Sequence, residues 1–217
     1  MEPLTAAILG VIEGLTEFLP VSSTGHLILA SRLLGLPDSE FLKSFEIAIQ
    51  LGAIMAVVVL YRRTLLRDVE ALKRVIVGFI PTGVLGLAFY SVVKRHLLGS
   101  ETVVLWALLV GGIALIGFER LHRSVPGDVA DIRRITYRQA LIIGACQSLA
   151  MIPGVSRSAA SVVGGLAQGI DRRTTVQFSF LLAVPTMLAA TGLDLLKSAG
   201  TFASSDAAAL AVGAVVS

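Results

Sequence analysis

The chain has 217 residues, 55% of them hydrophobic and only 15% charged, with a net charge of +3 and a mean hydropathy of +0.84. A soluble domain carries about 25% charged residues, so the composition excludes an ordinary soluble globule and implies an integral membrane protein. The pI near 9.4 implies no nucleic-acid partner, because the basic residues lie between apolar windows, where membrane proteins keep them for orientation. The single cysteine, Cys146, excludes an internal disulfide and a thiolate metal cluster.

The first predicted element, residues 4–34, is an apolar helix interrupted over residues 19–25, with Pro20, Ser22, Ser23, Thr24, Gly25 and His26 at or beside the interruption. Each flanking piece is too short to span alone, which predicts a re-entrant hairpin. Two glutamates interrupt what would be the apolar core of a signal peptide, and no basic leader precedes them. Residues 41–61 predict a span carrying Glu46 and Gln50, and 62–74 an amphipathic basic linker. Residues 75–93 predict a span kinked at Pro81 and Gly83, 94–101 a short loop, and 102–118 a glycine-rich span. Residues 119–138 read as a polar loop rich in arginine. Residues 139–170 are apolar but broken over 153–158, 171–173 form a charged turn, and 175–196 are a span containing Pro185. The last apolar run, 207–216, is too short to cross, so the expectation is a chain cut off inside a helix.

The two basic segments, 62–74 and 119–138, are separated by two spans and so share a side, which the positive-inside rule places in the cytoplasm. Residues 94–101 and 35–40 then face outward. The broken segments also resemble each other: GVIEGLTEFLPVSSTG at 10–25 can be laid beside GACQSLAMIPGVSRSA at 144–159, with Glu13 on Gln147. The first copy contains a hairpin and three spans, an odd number, so the second copy enters from the opposite side. The fold class expected is therefore an all-α membrane protein with an inverted-topology repeat. It forms one membrane domain over 1–217: a first repeat of about 1–119, a linker of about 120–138, and an incomplete second repeat of about 139–217.

In such a repeat the two breaks meet. Glu13 and Glu17, four apart on one helical face, would confront Ser156, Arg157 and Ser158 together with Ser22, Ser23, Thr24 and His26. A charged group at the bilayer centre costs about 2.5–3.5 kcal/mol by insertion scales, so these acids mark a site. Arg157 is either a two-pronged donor for phosphate or carboxylate or a structural ion-pair partner of Glu13 or Glu17. Ser22, Ser23 and Thr24 either cap the restarting helix or supply a reactive hydroxyl. Two carboxylates facing an anion repel it unless a divalent cation intervenes, and Mg²⁺ or Ca²⁺ takes oxygen ligands of this kind. Anion clamp, metal, hydroxyl and histidine together are the parts for phosphoryl transfer. A transporter or flippase for a phosphorylated lipid or solute would use the same architecture; release of inorganic phosphate separates the two.

At these residues the sequence resembles the bacterial undecaprenyl-diphosphate phosphatases of the bacitracin-resistance type. EGLTEFLPVSSTGHL reproduces that family's glutamate-rich motif. PGVSRSAAS at 153–161 matches its Pro-Gly-x-Ser-Arg-Ser-x-x-Thr motif, with Ser161 in place of the usual threonine. The resemblance implies hydrolysis of undecaprenyl diphosphate to the monophosphate and inorganic phosphate, which recycles the carrier of cell-wall synthesis and gives bacitracin resistance. It implies a divalent cation, with Glu13 and Glu17 serving the metal and the acid/base work. Ser23 and His26 would be nucleophile and activator, or would position a water. Arg157 would hold the diphosphate, with Ser22, Thr24, Ser156, Ser158 and Ser161 as further substrate contacts. The implied setting is the bacterial inner membrane, with a site reached from the outer, periplasmic face. The implied partners are the polyprenyl diphosphate substrate and membrane lipid, with a homodimer as one arrangement of the protein.

Overall fold

The computed structural model describes residues 1–97, 100–122, 129–198 and 206–217. The described residues form ten α-helices: α1 Pro3–Thr16, α2 Ser23–Leu33, α3 Glu40–Leu60, α4 Arg62–Arg67, α5 Val69–Val92, α6 Glu101–Leu121, α7 Tyr137–Gln147, α8 Arg157–Leu166, α9 Arg172–Ser198 and α10 Ala207–Val216. No strand is present among the described residues. Four helices, α3, α5, α6 and α9, are long and apolar enough to cross a membrane, and they coincide with the four predicted spans. Parts of two predicted loops, 98–99 within 94–101 and 123–128 within 119–138, lie outside the described residues.

Several boundaries differ from the sequence reading. The predicted linker 62–74 is helical. Asp68 accepts a hydrogen bond from the Ala71 N–H at 3.1 Å, which caps α5 six residues before the expected span. Glu70 pairs with Lys73 and Arg74 within the first turns. The expected loop at 94–101 begins as a π-helical turn, Val93–Leu97, continuing α5. Helix α6 runs on to Leu121, and the charged turn at 171–173 is largely the start of α9, capped by Asp171 on the Thr174 N–H. Pro81 and Pro185 lie inside continuous helices.

Both breaks begin earlier than expected. Helix α1 ends at Thr16 and α2 restarts at Ser23, so Ser23, Thr24, Gly25 and His26 belong to the first turn of a helix rather than to a loop. Helix α7 ends at Gln147 and passes through a 3₁₀ turn, Ser148–Met151, before α8 restarts at Arg157. Ser148 Oγ donates back to the Gly144 carbonyl at 2.9 Å, a bond that competes with the helical ladder. Pro153 then follows, and Gly154 sits at φ 96°, a conformation that favours glycine.

Among the described residues, three apolar clusters hold the helices together. One joins α5, α7 and α9 through Val75, Ile143, Phe178 and Leu182. The second joins α1, α2, α3 and α10 through Leu9, Leu27, Phe45 and Ala209. The third joins α3 and α9 through Ile54, Val57, Ala183 and Val184. The outer faces of α5 and α6, among them Leu85, Phe89, Leu105, Trp106 and Ile113, stay exposed, as lipid-facing surfaces do.

Helices α5 and α7 approach backbone to backbone. A Cβ on Gly144 would lie 1.8 Å from the Gly78 carbonyl oxygen, so only glycine permits this contact. Gly144→Ala is therefore expected to destabilise the protein by about 1–3 kcal/mol or more, read as a lowered thermal unfolding midpoint in detergent. An unchanged midpoint would contradict this packing.

Candidate active site

The two breaks meet. Arg157, at the start of α8, donates from Nη2 to Glu17 Oε1 at 2.7 Å and from Nη1 to the Ser179 carbonyl at 3.1 Å. Both partners of the ion pair are buried, Arg157 at 8% exposure and Glu17 at 6%. The other Glu17 oxygen, Oε2, accepts a hydrogen bond from Ser23 Oγ. A second tie joins the breaks where Ser158 Oγ donates to the Leu19 carbonyl at 2.9 Å. Serines restart both helices: Ser22 accepts from the Gly25 N–H and Ser156 from the Ala159 N–H.

Ser22 holds a positive φ of 64° without being glycine, a strained conformation of the kind found at functional sites. Its carbonyl takes the His26 backbone N–H at 3.2 Å and the His26 ring at 2.8 Å through Nδ1. A carbonyl only accepts, so Nδ1 carries the ring proton. His26 thus braces the strained turn at Ser22, and the hydrogen-bond partner of Ser23 is Glu17 rather than His26.

The remaining site residues divide. Glu17, Ser22, Ser23, Thr24, Ser156 and Arg157 line a cavity of about 530 Å³. Ser158 and Ser161 do not line it. Ser161 Oγ is tied to the Arg157 carbonyl at 2.9 Å and to Ser179 Oγ at 2.6 Å, so it fixes the first turn of α8 under Arg157. Glu13 lies one turn before Glu17, completely buried, with no hydrogen-bond partner for either carboxyl oxygen. The Nε of Arg157 is likewise buried and unpartnered.

The cavity is mostly apolar beyond this polar end. Phe79, Ile80 and Leu87 of α5 face Met187, Ala190 and Leu193 of α9 across it. One charged end and one long apolar wall suit an amphiphile with an anionic head. Sequence reasoning did not single out Thr82 and Thr186, which also line the cavity. The signal available was the dipeptide Pro-Thr at mid-span in both helices, at 81–82 and 185–186. Gln50, noted in sequence only as a polar residue of the first span, both lines the cavity and donates to Thr24 Oγ1 at 3.2 Å.

The donor set fits a divalent cation of one kind. Among the described residues, no three His, Cys, Asp or Glu side chains converge as a complete metal cage. The unpartnered carboxyl of Glu13 beside Glu17 offers a pair of hard oxygen ligands. Mg²⁺ is commonly held by one or two carboxylates plus substrate phosphate oxygens, so the pair fits a cation that arrives with, or is completed by, a phosphorylated substrate.

Comparison with known proteins gives a consistent picture. A family model described as Bacitracin resistance protein BacA matches residues 6–217. The chain is 49% identical over 212 residues to an undecaprenyl-diphosphatase of Aquifex aeolicus (strain VF5), covering 98% of this chain and 82% of that protein. It is 50% identical over 216 residues to an undecaprenyl-diphosphatase of Sulfurihydrogenibium sp. (strain YO3AOP1), covering 100% and 84%. It is 52% identical over 195 residues to one from Persephonella marina (strain DSM 14350 / EX-H1), covering 90% and 76%.

Proposed function

The chain belongs to the bacitracin resistance protein BacA family, and from that membership we propose that it hydrolyses undecaprenyl diphosphate to undecaprenyl phosphate and inorganic phosphate. The observation that carries the reading is the buried Ser23–Glu17–Arg157 chain at the polar end of an amphiphile-shaped cavity. The product is the lipid carrier of cell-wall synthesis, and its supply underlies bacitracin resistance.

The chemistry follows from the chain's own groups. Arg157, with Nε free, turns its fork to the diphosphate oxygens and balances their charge. Glu17 is thereby released from its ion pair while keeping Ser23, and it accepts the Oγ proton as Oγ attacks the terminal phosphorus. An Oγ–P bond forms, and the bond from that phosphorus to the bridging oxygen breaks. The bridging oxygen leaves with its electron pair on undecaprenyl phosphate. A water oxygen then displaces Oγ from phosphorus, the proton on Glu17 returns to Oγ, and the water's spare proton passes to solvent. His26 holds the Ser22 turn so that Ser23 stays aimed. Glu13 and Glu17 would hold a divalent cation, whose chemistry would be to neutralise negative charge at the phosphoryl group.

Each broken pair, α1–α2 and α7–α8, precedes one of the long helices, α3 and α9. We read these pairs as re-entrant hairpins of two inverted repeats, about 1–119 and 139–217. Arg133 Nε pairs with Asp68 Oδ2 at 2.8 Å, bringing the two basic segments to one side, the cytoplasmic one by the positive-inside rule. The cavity reaches Tyr90 and Val93 at the opposite end of α5, which supports access from the outer face of the inner membrane.

The test is turnover of undecaprenyl diphosphate by the purified chain in detergent, with and without a chelator. Metal-dependent release of inorganic phosphate is expected, lost with EDTA and restored by Mg²⁺ or Ca²⁺. Glu13→Gln should raise the metal concentration needed for half-maximal rate by about tenfold or more. Substrate binding without release by folded protein would refute hydrolysis and favour transport.

A further inference from the structure

A second polar group faces the same cavity. Gln147, at the end of α7, is 1% exposed and lines the cavity. Its Nε2 donates to Thr186 Oγ1 at 2.9 Å and to Thr82 Oγ1 at 3.3 Å. Those hydroxyls have other acceptors for their protons, Thr186 the Leu182 carbonyl at 2.8 Å and Thr82 the Gly144 carbonyl at 3.1 Å or Ser148 Oγ at 3.3 Å. Their oxygens therefore accept from Gln147, which fixes the orientation of the amide. The other end of the amide, Oε1, is buried with no hydrogen-bond partner. An orphaned acceptor in an apolar enclosure carries a desolvation penalty that a donor from a ligand would relieve. Threonines of α5 and α9 hold the amide of this α7 residue by its nitrogen.

Taking the proposed phosphatase reading as its basis, we infer that Gln147 Oε1 accepts a hydrogen bond from a protonated phosphoryl oxygen, the P–OH of the terminal phosphate and of the inorganic phosphate released from it. Arg157 and the carboxylates recognise the charge of a tetrahedral anion. A neutral acceptor recognises a different property, its hydroxyl. A phosphoryl group entering an apolar cavity sheds charge by keeping a proton, and Gln147 is placed to favour that form without adding negative charge. The amide is thus a subsite for the protonated phosphate, separate from the Glu13–Glu17–Arg157 set.

Hydrogen phosphate and monofluorophosphate test this directly. At mildly alkaline pH both are dianions of nearly the same shape, but only hydrogen phosphate has a hydroxyl. Their dissociation constants are measured by calorimetry on the full chain in detergent, for the wild type and for Gln147→Leu. Wild type is expected to bind hydrogen phosphate about tenfold more tightly than fluorophosphate, the equivalent of one hydrogen bond. Gln147→Leu is expected to bind the two alike. Equal binding by the wild type would overturn the inference, whatever the folding of the variant, and so would discrimination that survives in Gln147→Leu. Phosphate release from undecaprenyl diphosphate is followed on the same wild-type sample. Release without discrimination sinks only the Gln147 subsite, whereas discrimination without release supports the subsite and counts against hydrolysis.

Discussion

Arg157→Ala is expected to lower kcat/KM for phosphate release by about 10²–10³-fold and to destabilise the folded protein. Two separate causes act. The substrate loses its fork-shaped anion donor, whose two terminal nitrogens reach Glu17 Oε1 and the Ser179 carbonyl. Glu17 loses its buried counter-ion and is left at 6% exposure with Ser23 alone. Removing one member of a buried pair costs about 3–5 kcal/mol in stability, so thermal unfolding must be recorded beside the rate. Arg157→Lys separates the two causes. A lysine keeps the charge for Glu17 but, as a compact point charge on a flexible stem, does not reproduce the planar fork. It should regain much of the stability and little of the rate. A folded Arg157→Ala protein with wild-type kcat/KM would remove Arg157 from the site.

Glu17→Gln is expected to lower kcat by about 10²–10⁴-fold with a much smaller change in KM. The amide has nearly the same shape, with its oxygen accepting from Arg157 and its nitrogen donating to Ser23 Oγ, but Arg157 loses its buried counter-ion, so thermal unfolding is recorded beside the rate. The amide cannot take the Ser23 proton. A kcat within about tenfold of wild type would show that Glu17 supplies only structure, since general-base losses are larger.

The membrane character and the four long helices were legible because apolar windows of spanning length depend on composition alone. The confrontation of Arg157 with Glu17 was also legible, because a buried cation in an apolar chain needs an anion and the two broken segments were expected to meet. What could not be read was the choice among neighbouring polar groups. Ser23 stands beside Ser22 and Thr24 in sequence, and only the restart of α2 at Ser23 turns its hydroxyl to Glu17. His26, expected either to activate Ser23 or to position a water, turns its Nδ1 to the Ser22 carbonyl one turn earlier, a geometry of helical phase that motif spacing does not convey. Ser158 and Ser161 carry the same motif letters as Ser156, yet they tie α8 to Leu19 and to Ser179 and leave the cavity wall to Ser156 and Arg157. The segment 62–74 was legible as amphipathic and basic, but not as the helix α4 and the first turns of α5. Its helicity comes from an Asp68 cap and from Arg74 reaching the distant Ile135 carbonyl at 2.6 Å, a contact across 61 positions of sequence. Thr82 and Thr186 went unmarked since a threonine in a span is commonly a local helix bond, and only their shared partner Gln147 distinguishes them.

The central claim is that residues from both breaks act as one catalytic unit. Its most direct test is a double-mutant comparison: kcat/KM for phosphate release by wild type, Arg157→Ala, Glu17→Gln and the double variant, each shown to be folded. Groups that work as a unit lose function non-additively, so the double variant should be about as slow as the slower single variant. Losses that multiply would contradict the claim, since they would mean that Glu17 and Arg157 contribute to the reaction independently.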